Sequence, residues 1–307
     1  MNVNLTFDTV EKVLHIADVH IRNYNRHKEY RQVFRKLYKA AKKLPTNSLI
    51  YVAGDIVHTK TDISPELVQM VSEFLNNLAK IRPTVIIAGN HDANLNNSSR
   101  LDALTPIVEN LNNDNLYYLR DSGIYTFADI DFIVYSILEN SDSWPNTKDS
   151  KSKNKIGLFH GAVNNSKTDA GYTVRDENLP LKTFNGCHMT MLGDIHKFQH
   201  LNTAETVTYA GSLIQQNFGE SFENHGYVVW DIKERKAEFF NIVNDYGYYT
   251  IRMKDGILPN ISNIPKYPRL RFITENTTQA QVKESLIEIR KIEVNCFLSG
   301  ENDDYNI

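Results

Sequence analysis

Cysteine is scarce in this chain: Cys187 and Cys296 are the only two among 307 residues, and no CxxC occurs. They cannot make a disulfide framework, which points to a reducing compartment. No stretch approaches the ~18 consecutive apolar residues of a membrane span. The start of the chain lacks a basic, apolar and small-residue signal pattern, so an intracellular protein, cytoplasmic or nuclear, is expected. Excess positive charge is missing too. There are 34 Lys and Arg against 37 Asp and Glu, a formal net charge of −3. That excludes a protein that coats DNA with its whole surface, and any nucleic-acid contact must come from a local patch. Apolar residues, by contrast, make up 41 % of the chain. They suffice for a core in one large domain, with or without a small second one.

Up to about Asp245, short β-branched runs alternate with amphipathic segments, the pattern of an α/β fold. Val13 to Ala17, Leu49 to Ala53 and Thr84 to Ala88 read as buried strands, and Phe132 to Leu138, Lys155 to Phe159 and Met189 to Leu192 continue the series. Val33, Phe34, Leu37, Ala41 and Leu44 recur at helical spacing after the first strand, as do Leu67, Val71, Phe74, Leu75 and Leu78 after the second. Ser64 followed by Pro65 supplies an N-cap and a first-turn proline for the second helix. Thr206 to Ala210, Tyr227 to Ile232 and Glu238 to Val243 come with no long helix among them, which predicts a second, more antiparallel sheet packed on the first. Asn94 to Ser99 and Asn140 to Asn154 read as polar loops. Beyond Asp245, prolines 259, 265 and 268 interrupt the pattern. A strand from Leu270 to Ile273 and a helix from Ala280 to Ile292 follow, as in a small second domain.

Several strands end in groups that bind metals. The first leads into Asp18 and His20, the second into Gly54 and Asp55 with His58 three further on, and the third into Gly89, Asn90, His91 and Asp92. Later strands lead into His160 with Gly161, and into Gly193, Asp194 and His196. In open α/β sheets, sites form at the C-terminal ends of strands, so these groups should converge in one cleft. Asp, Asn and His suit hard or borderline divalent ions. Seven or eight such ligands are too many for one ion and suit a pair ~3.5–4 Å apart. Taken singly, each motif is common as a turn; the case rests on all five occurring in order, each at a strand end.

Those motifs, DVH, GDIVH, GNHD, HG and GDIH, resemble the signature of calcineurin-like metallophosphoesterases. The GDIVH form and the stretch from Tyr209 to Asp231 further resemble the SbcD-type DNA double-strand-break repair nucleases, over about residues 10–245. The resemblance implies a two-sheet β-sandwich flanked by helices over residues 1–245, with 246–307 as a small α+β capping-like domain whose completeness is left open. It implies a two-metal DNA nuclease, exonuclease or endonuclease, loaded with Mn²⁺ in preference to Mg²⁺ or Fe²⁺. Asp18, His20 and His196 would bind the first ion, Asn90 and His160 the second, and Asp55 both. His91 would be the mobile acid and His58 a supporting residue. The family pattern has histidine where this chain has Asp194; a carboxylate there would act as a harder ligand of the second metal or stand behind it.

Arg22, Arg26, Lys28 and Arg31 follow the first ligand pair directly, so they are expected beside the cleft on the phosphate backbone of DNA. Tyr246, Tyr248 and Tyr249 fit edge-strand packing better than base stacking. His15 and His225 read as structural histidines. The resemblance also implies an SbcC-type SMC-like ATPase partner, although no linker-and-helix pair of the kind that binds it is seen, and it leaves a homodimer open. Two other functions remain: a phosphatase or small-diester esterase on the same fold, and a non-catalytic DNA-binding subunit.

Overall fold

The computed structural model describes residues 2–97, 100–175, 179–261 and 263–291, and the backbone of Phe297 and Leu298. Ser98, Ser99, Ile292, Cys296 and the last part of the capping-like region lie outside the described residues. In chain order the strands are β1 (Asn2–Val3), β2 (Lys12–Ile16), β3 (Leu49–Ala53), β4 (Thr84–Ile87), β5 (Leu116–Tyr118), β6 (Gly123–Phe127), β7 (Ile130–Tyr135) and β8 (Asn154–His160). They continue as β9 (Met189–Gly193), β10 (Gln199–His200), β11 (Val207–Tyr209), β12 (Gly226–Asp231), β13 (Lys236–Asn241), β14 (Tyr246–Lys254), β15 (Tyr267–Glu275) and β16 (Phe297–Leu298). The α-helices are α1 (His27–Lys42), α2 (Pro65–Ile81), α3 (Thr105–Leu111) and α4 (Gln279–Lys291).

The fold is mixed α/β, with two main sheets flanked by helices. The first sheet has the order β13-β12-β2-β3-β4-β5 and the second β1-β6-β7-β8-β9-β11-β10. Strands β2 to β5 run parallel and are joined by α1, α2 and α3 in turn. The allocation of strands differs from the sequence expectation. β12 and β13 join the first sheet, β12 antiparallel to β2 and β13 antiparallel to β12. The second sheet is largely parallel at its centre, through β7, β8, β9 and β11. The physical reason is visible in burial: β7 and β9 are buried at every position, as in parallel strands covered on both faces, whereas β12 alternates.

Helix positions follow the apolar spacing. Val33, Phe34, Leu37 and Ala41 of α1 and Leu67, Val71, Phe74, Leu75 and Leu78 of α2 are buried against one face of the first sheet. Phe34 and Phe74 meet with ring centroids 4.3 Å apart, each such side chain contributing ~1.5–3 kcal/mol on burial. Ser64 caps α2 by accepting from Leu67 N–H at 3.2 Å. The other face of the sheet, with Val13, Tyr51 and Trp230, packs on Phe132, Leu158 and Met191 of the second sheet. Strands β14, β15 and β16 form a third sheet, and α4 packs on it through Ile289 against Ile251, Met253 and Leu270. Among the described residues no helix is long and apolar enough to cross a membrane.

Both main sheets bring strand ends to the same place. A Cβ on Gly54 (φ +79°) would lie 2.6 Å from His160 Nδ1 and 2.7 Å from Gly89 N. Only a residue without a side chain lets the β3 end pass so close to the β4 and β8 ends.

Candidate metal centre

The polar residues after β2, β3, β4, β8 and β9 converge on one cleft. His20 Nε2 lies 3.0 Å from His196 Nε2 and 3.6 Å from Asp55 Oδ2. Asp55 Oδ1 lies 3.4 Å from His160 Nε2, which in turn is 3.8 Å from Asp194 Oδ1. Asn90 Oδ1 is 3.1 Å from His160 Nε2, and the same atom lies 3.2–3.3 Å from the two Asp55 oxygens. Donor atoms of Asp18, His20 and His196 lie within 4.8 Å of one another, as do those of Asp18, Asp55 and His160. All seven candidate ligands therefore meet, with Asp55 between the two halves. Four of them, Asp18, His20, Asp55 and Asp194, have φ between 49° and 99°, in the left-handed region.

Hydrogen bonds fix which atoms face inward. His160 Nδ1 donates to the Ala53 carbonyl at 2.6 Å and His196 Nδ1 to Glu220 Oε1 at 2.8 Å. Each Nε2 lone pair is thereby left pointing into the cleft. Lone pairs of His160, Asn90 and Asp55 face one another there, an arrangement that a cation between them satisfies. The donor set thus fits divalent metal ions. Protons and metal ions compete for these lone pairs. Burial pushes the Asp18 carboxyl up to about 7, against the pull of His196 and His160. Burial opposes ionisation of Asp55 as well, but His160 and His20 beside it hold its carboxyl below the usual carboxylate range. His196 is raised to about 9, because its bond to Glu220 and the Asp18 charge outweigh burial.

The family model for calcineurin-like phosphoesterases matches residues 11–198, the segment that carries every one of these ligands. The chain belongs to that family. Calcineurin-like phosphoesterases hydrolyse phosphoesters with divalent metals. Among relatives, the uncharacterized protein R555 of Acanthamoeba polyphaga mimivirus is 44 % identical over 92 % of this chain, which spans only 22 % of that longer protein. The SbcD component of the SbcCD nuclease of Staphylococcus epidermidis is 25 % identical over 73 % of the chain and 67 % of its own length. Its counterpart in Staphylococcus saprophyticus is 27 % identical over 73 % of the chain and 66 % of its own length.

His91 and His58 of this phosphoesterase stand at the rim. His91 N–H donates to Asp55 Oδ1 at 2.8 Å, and its Nδ1 donates to the His58 carbonyl at 2.6 Å. The two rings stack with centroids 5.7 Å apart. Burial and the Arg22 charge lower His58 to about 4, so it is neutral at pH 7.

Of the four cations expected on DNA, Lys28 and Arg31 are exposed, and Arg22 is half-buried with Nη2 3.4 Å from the Gln216 carbonyl. Arg26 is not available. It is buried, with Nε 2.8 Å from Glu29 Oε2 and Nη2 2.9 Å from Oε1. A buried carboxylate three residues along holds it inside. Tyr248 is occupied as well, between the guanidinium groups of Arg26 and Arg269 at 5.3 and 5.1 Å. His225 is satisfied by Ser212 Oγ and the Ser221 carbonyl, at 3.0 and 2.7 Å. His15 is likewise structural: it stacks on Tyr51 with centroids 5.2 Å apart, its Nδ1 accepts from Trp230 Nε1–H at 3.4 Å, and burial lowers it to about 3.

Asp92 has the type of a ligand but another task. Fully buried, it accepts from Ile56 N–H at 3.0 Å, Val57 N–H at 2.9 Å and Gly89 N–H at 2.8 Å. It braces the loop that carries Asp55 against the turn that carries Asn90 and His91. Asp92→Ala would leave three buried donors unpaired, each costing ~1–3 kcal/mol. Urea titration should show a loss of at least ~3 kcal/mol; a loss below ~1 kcal/mol would remove Asp92 from this role. Lys60, which no motif singles out, donates from Nζ to the Asn90 carbonyl at 2.7 Å.

Proposed function

We propose that this phosphoesterase is a two-metal nuclease that hydrolyses DNA phosphodiesters in repair or recombination. The observation that carries the DNA reading is the run of cations, Arg22, Lys28 and Arg31, that leaves the cleft directly after His20. Likeness to two proteins named as nuclease components supports it. In this reading Asp18, His20 and His196 hold one ion, Asn90, His160 and Asp194 the other, and Asp55 both. The two carboxylates, amide oxygen and imidazole of the second set favour Mn²⁺ or Mg²⁺ over softer ions. When bound, the metals supply Lewis acidity at the phosphate and lower the pKa of water. Because His91 Nδ1 is bonded to the His58 carbonyl, its Nε2 end is the one that can protonate the leaving oxygen.

The enclosure of Arg26 removes one cation from the patch and favours a second reading, a hydrolase of small phosphoesters. Plasmid DNA and p-nitrophenyl phosphate, each with Mn²⁺, separate the two. Degradation of the plasmid is expected, and hydrolysis of p-nitrophenyl phosphate alone would select the second reading. Charge reversal at Lys28 and Arg31 should lower the slope of log K against log salt for duplex DNA by ~0.9 per lost phosphate contact. An unchanged slope would assign these residues to a solvated helix face.

A further inference from the structure

The loop between β11 and β12 joins the metal cleft to the third sheet. Its Glu220 accepts from His196 Nδ1 and Asn217 Nδ2, both at 2.8 Å, and from Gln216 N–H at 2.6 Å. Next to it Gln215 is 3 % exposed, and its amide is spent on two partners. Gln215 Nε2 donates to the Glu220 carbonyl and to the Tyr248 carbonyl, both at 3.1 Å, and Gln215 Oε1 accepts from Tyr248 N–H at 2.6 Å. The side chain thus pairs with the edge of β14 that β15 leaves free, as a neighbouring strand would. Arg26 Nη2 holds the Gln215 carbonyl from the other side at 2.6 Å. Arg26 is itself tied to Glu29, which Arg269 of β15 also contacts at 2.9 Å. Phe218 of the same loop packs edge-on against Tyr248 at 4.8 Å and lies under the Arg271 guanidinium at 4.6 Å.

We propose that Gln215 is a positioning residue through which strand β14 fixes, by way of Glu220, the orientation of the metal-facing His196. A histidine whose Nδ1 is held by a carboxylate keeps its Nε2 aimed, and loss of such a partner typically costs 10–100-fold in metal affinity. The third sheet then serves as a wall of the first metal site, although it sends no ligand there. The inference rests on the metal reading of the cleft.

Mn²⁺ binding to the full chain, measured by calorimetry, tests it with Gln215→Ala, Glu220→Gln and the pair combined. Each single variant should weaken one of two ions by ~10–100-fold without changing the stoichiometry. The combined variant should be no weaker than Glu220→Gln alone, since both act through the same carboxylate. Parental affinity in Gln215→Ala, or additive losses in the combined variant, would overturn the proposal. Gln215→Glu keeps the side-chain volume and the acceptor for Tyr248 N–H while losing both donors, and serves if the alanine variant does not fold. In metal-free protein the ¹⁵N resonance of His196 Nδ1 should shift in both Gln215 variants while those of His27 and His200 stay in place. An unmoved His196 resonance would overturn the link. A parent that bound no Mn²⁺ would instead overturn the metal reading, and the His196 resonance would still decide the role of Gln215.

Discussion

Asp55→Ala should abolish hydrolysis with every divalent ion. Its two carboxylate oxygens face different halves of the cleft, Oδ2 toward His20 at 3.6 Å and Oδ1 toward His160 at 3.4 Å. Oδ1 also accepts the His91 N–H at 2.8 Å. Removing it takes away the group that the two-metal reading assigns to both ions and frees the turn that carries Asn90 and His91. Activity on any phosphodiester, with Mn²⁺, Mg²⁺ or Fe²⁺, is the measurement. Retention of more than about a tenth of the parental rate, under ~1.4 kcal/mol in barrier, would contradict a bridging role.

His91→Ser should behave differently, losing turnover and keeping the metals. Its Nδ1 is engaged with the His58 carbonyl, and its peptide N–H, not its ring, bonds to the Asp55 carboxylate. Both bonds hold the ring in place without requiring it to coordinate. A positioned acid or base contributes ~10²–10⁴ in rate, and that is the expected loss of kcat. Calorimetry on the variant should still count two ions. Disappearance of one would make His91 a ligand, an outcome its proximity to His20 and His58 makes worth checking.

The cleft was legible in the sequence because its signals are local. Each ligand follows an apolar run directly, and glycines such as Gly54 mark where strand ends must pass close. What the sequence withheld depends on contacts between distant segments. Arg26 reads as one more cation in a basic run; its partner Glu29 is only three residues on, but the groups that meet this pair, Arg269 and the Gln215 carbonyl, lie far along the chain. Asp92 and Asp55 are the same residue type, each shortly after a strand; only the direction of the side chain turns one onto backbone N–H groups and the other into the cleft. Glu220 lay within a recognised stretch, yet nothing local pairs it with a histidine 24 positions earlier. The division of strands between the sheets is not legible in the sequence for a related reason. Apolar runs announce a strand but not its neighbour: Tyr227 to Trp230 is a continuous apolar run, and the alternating burial of β12 arises only from its place in the sheet.

In the two-metal reading, the left-handed backbone at Asp18, His20, Asp55 and Asp194 couples folding to the ions themselves. For residues with a Cβ this conformation costs roughly 1–2 kcal/mol each, so the polypeptide holds its ligands ready at the expense of its own stability. An ion that binds only the folded chain offsets this by mass action, growing with its concentration relative to its dissociation constant. Thermal resistance is then not a fixed property of the sequence. It follows the free concentration of divalent metal around the protein, and a chelator acts on it as a mild denaturant.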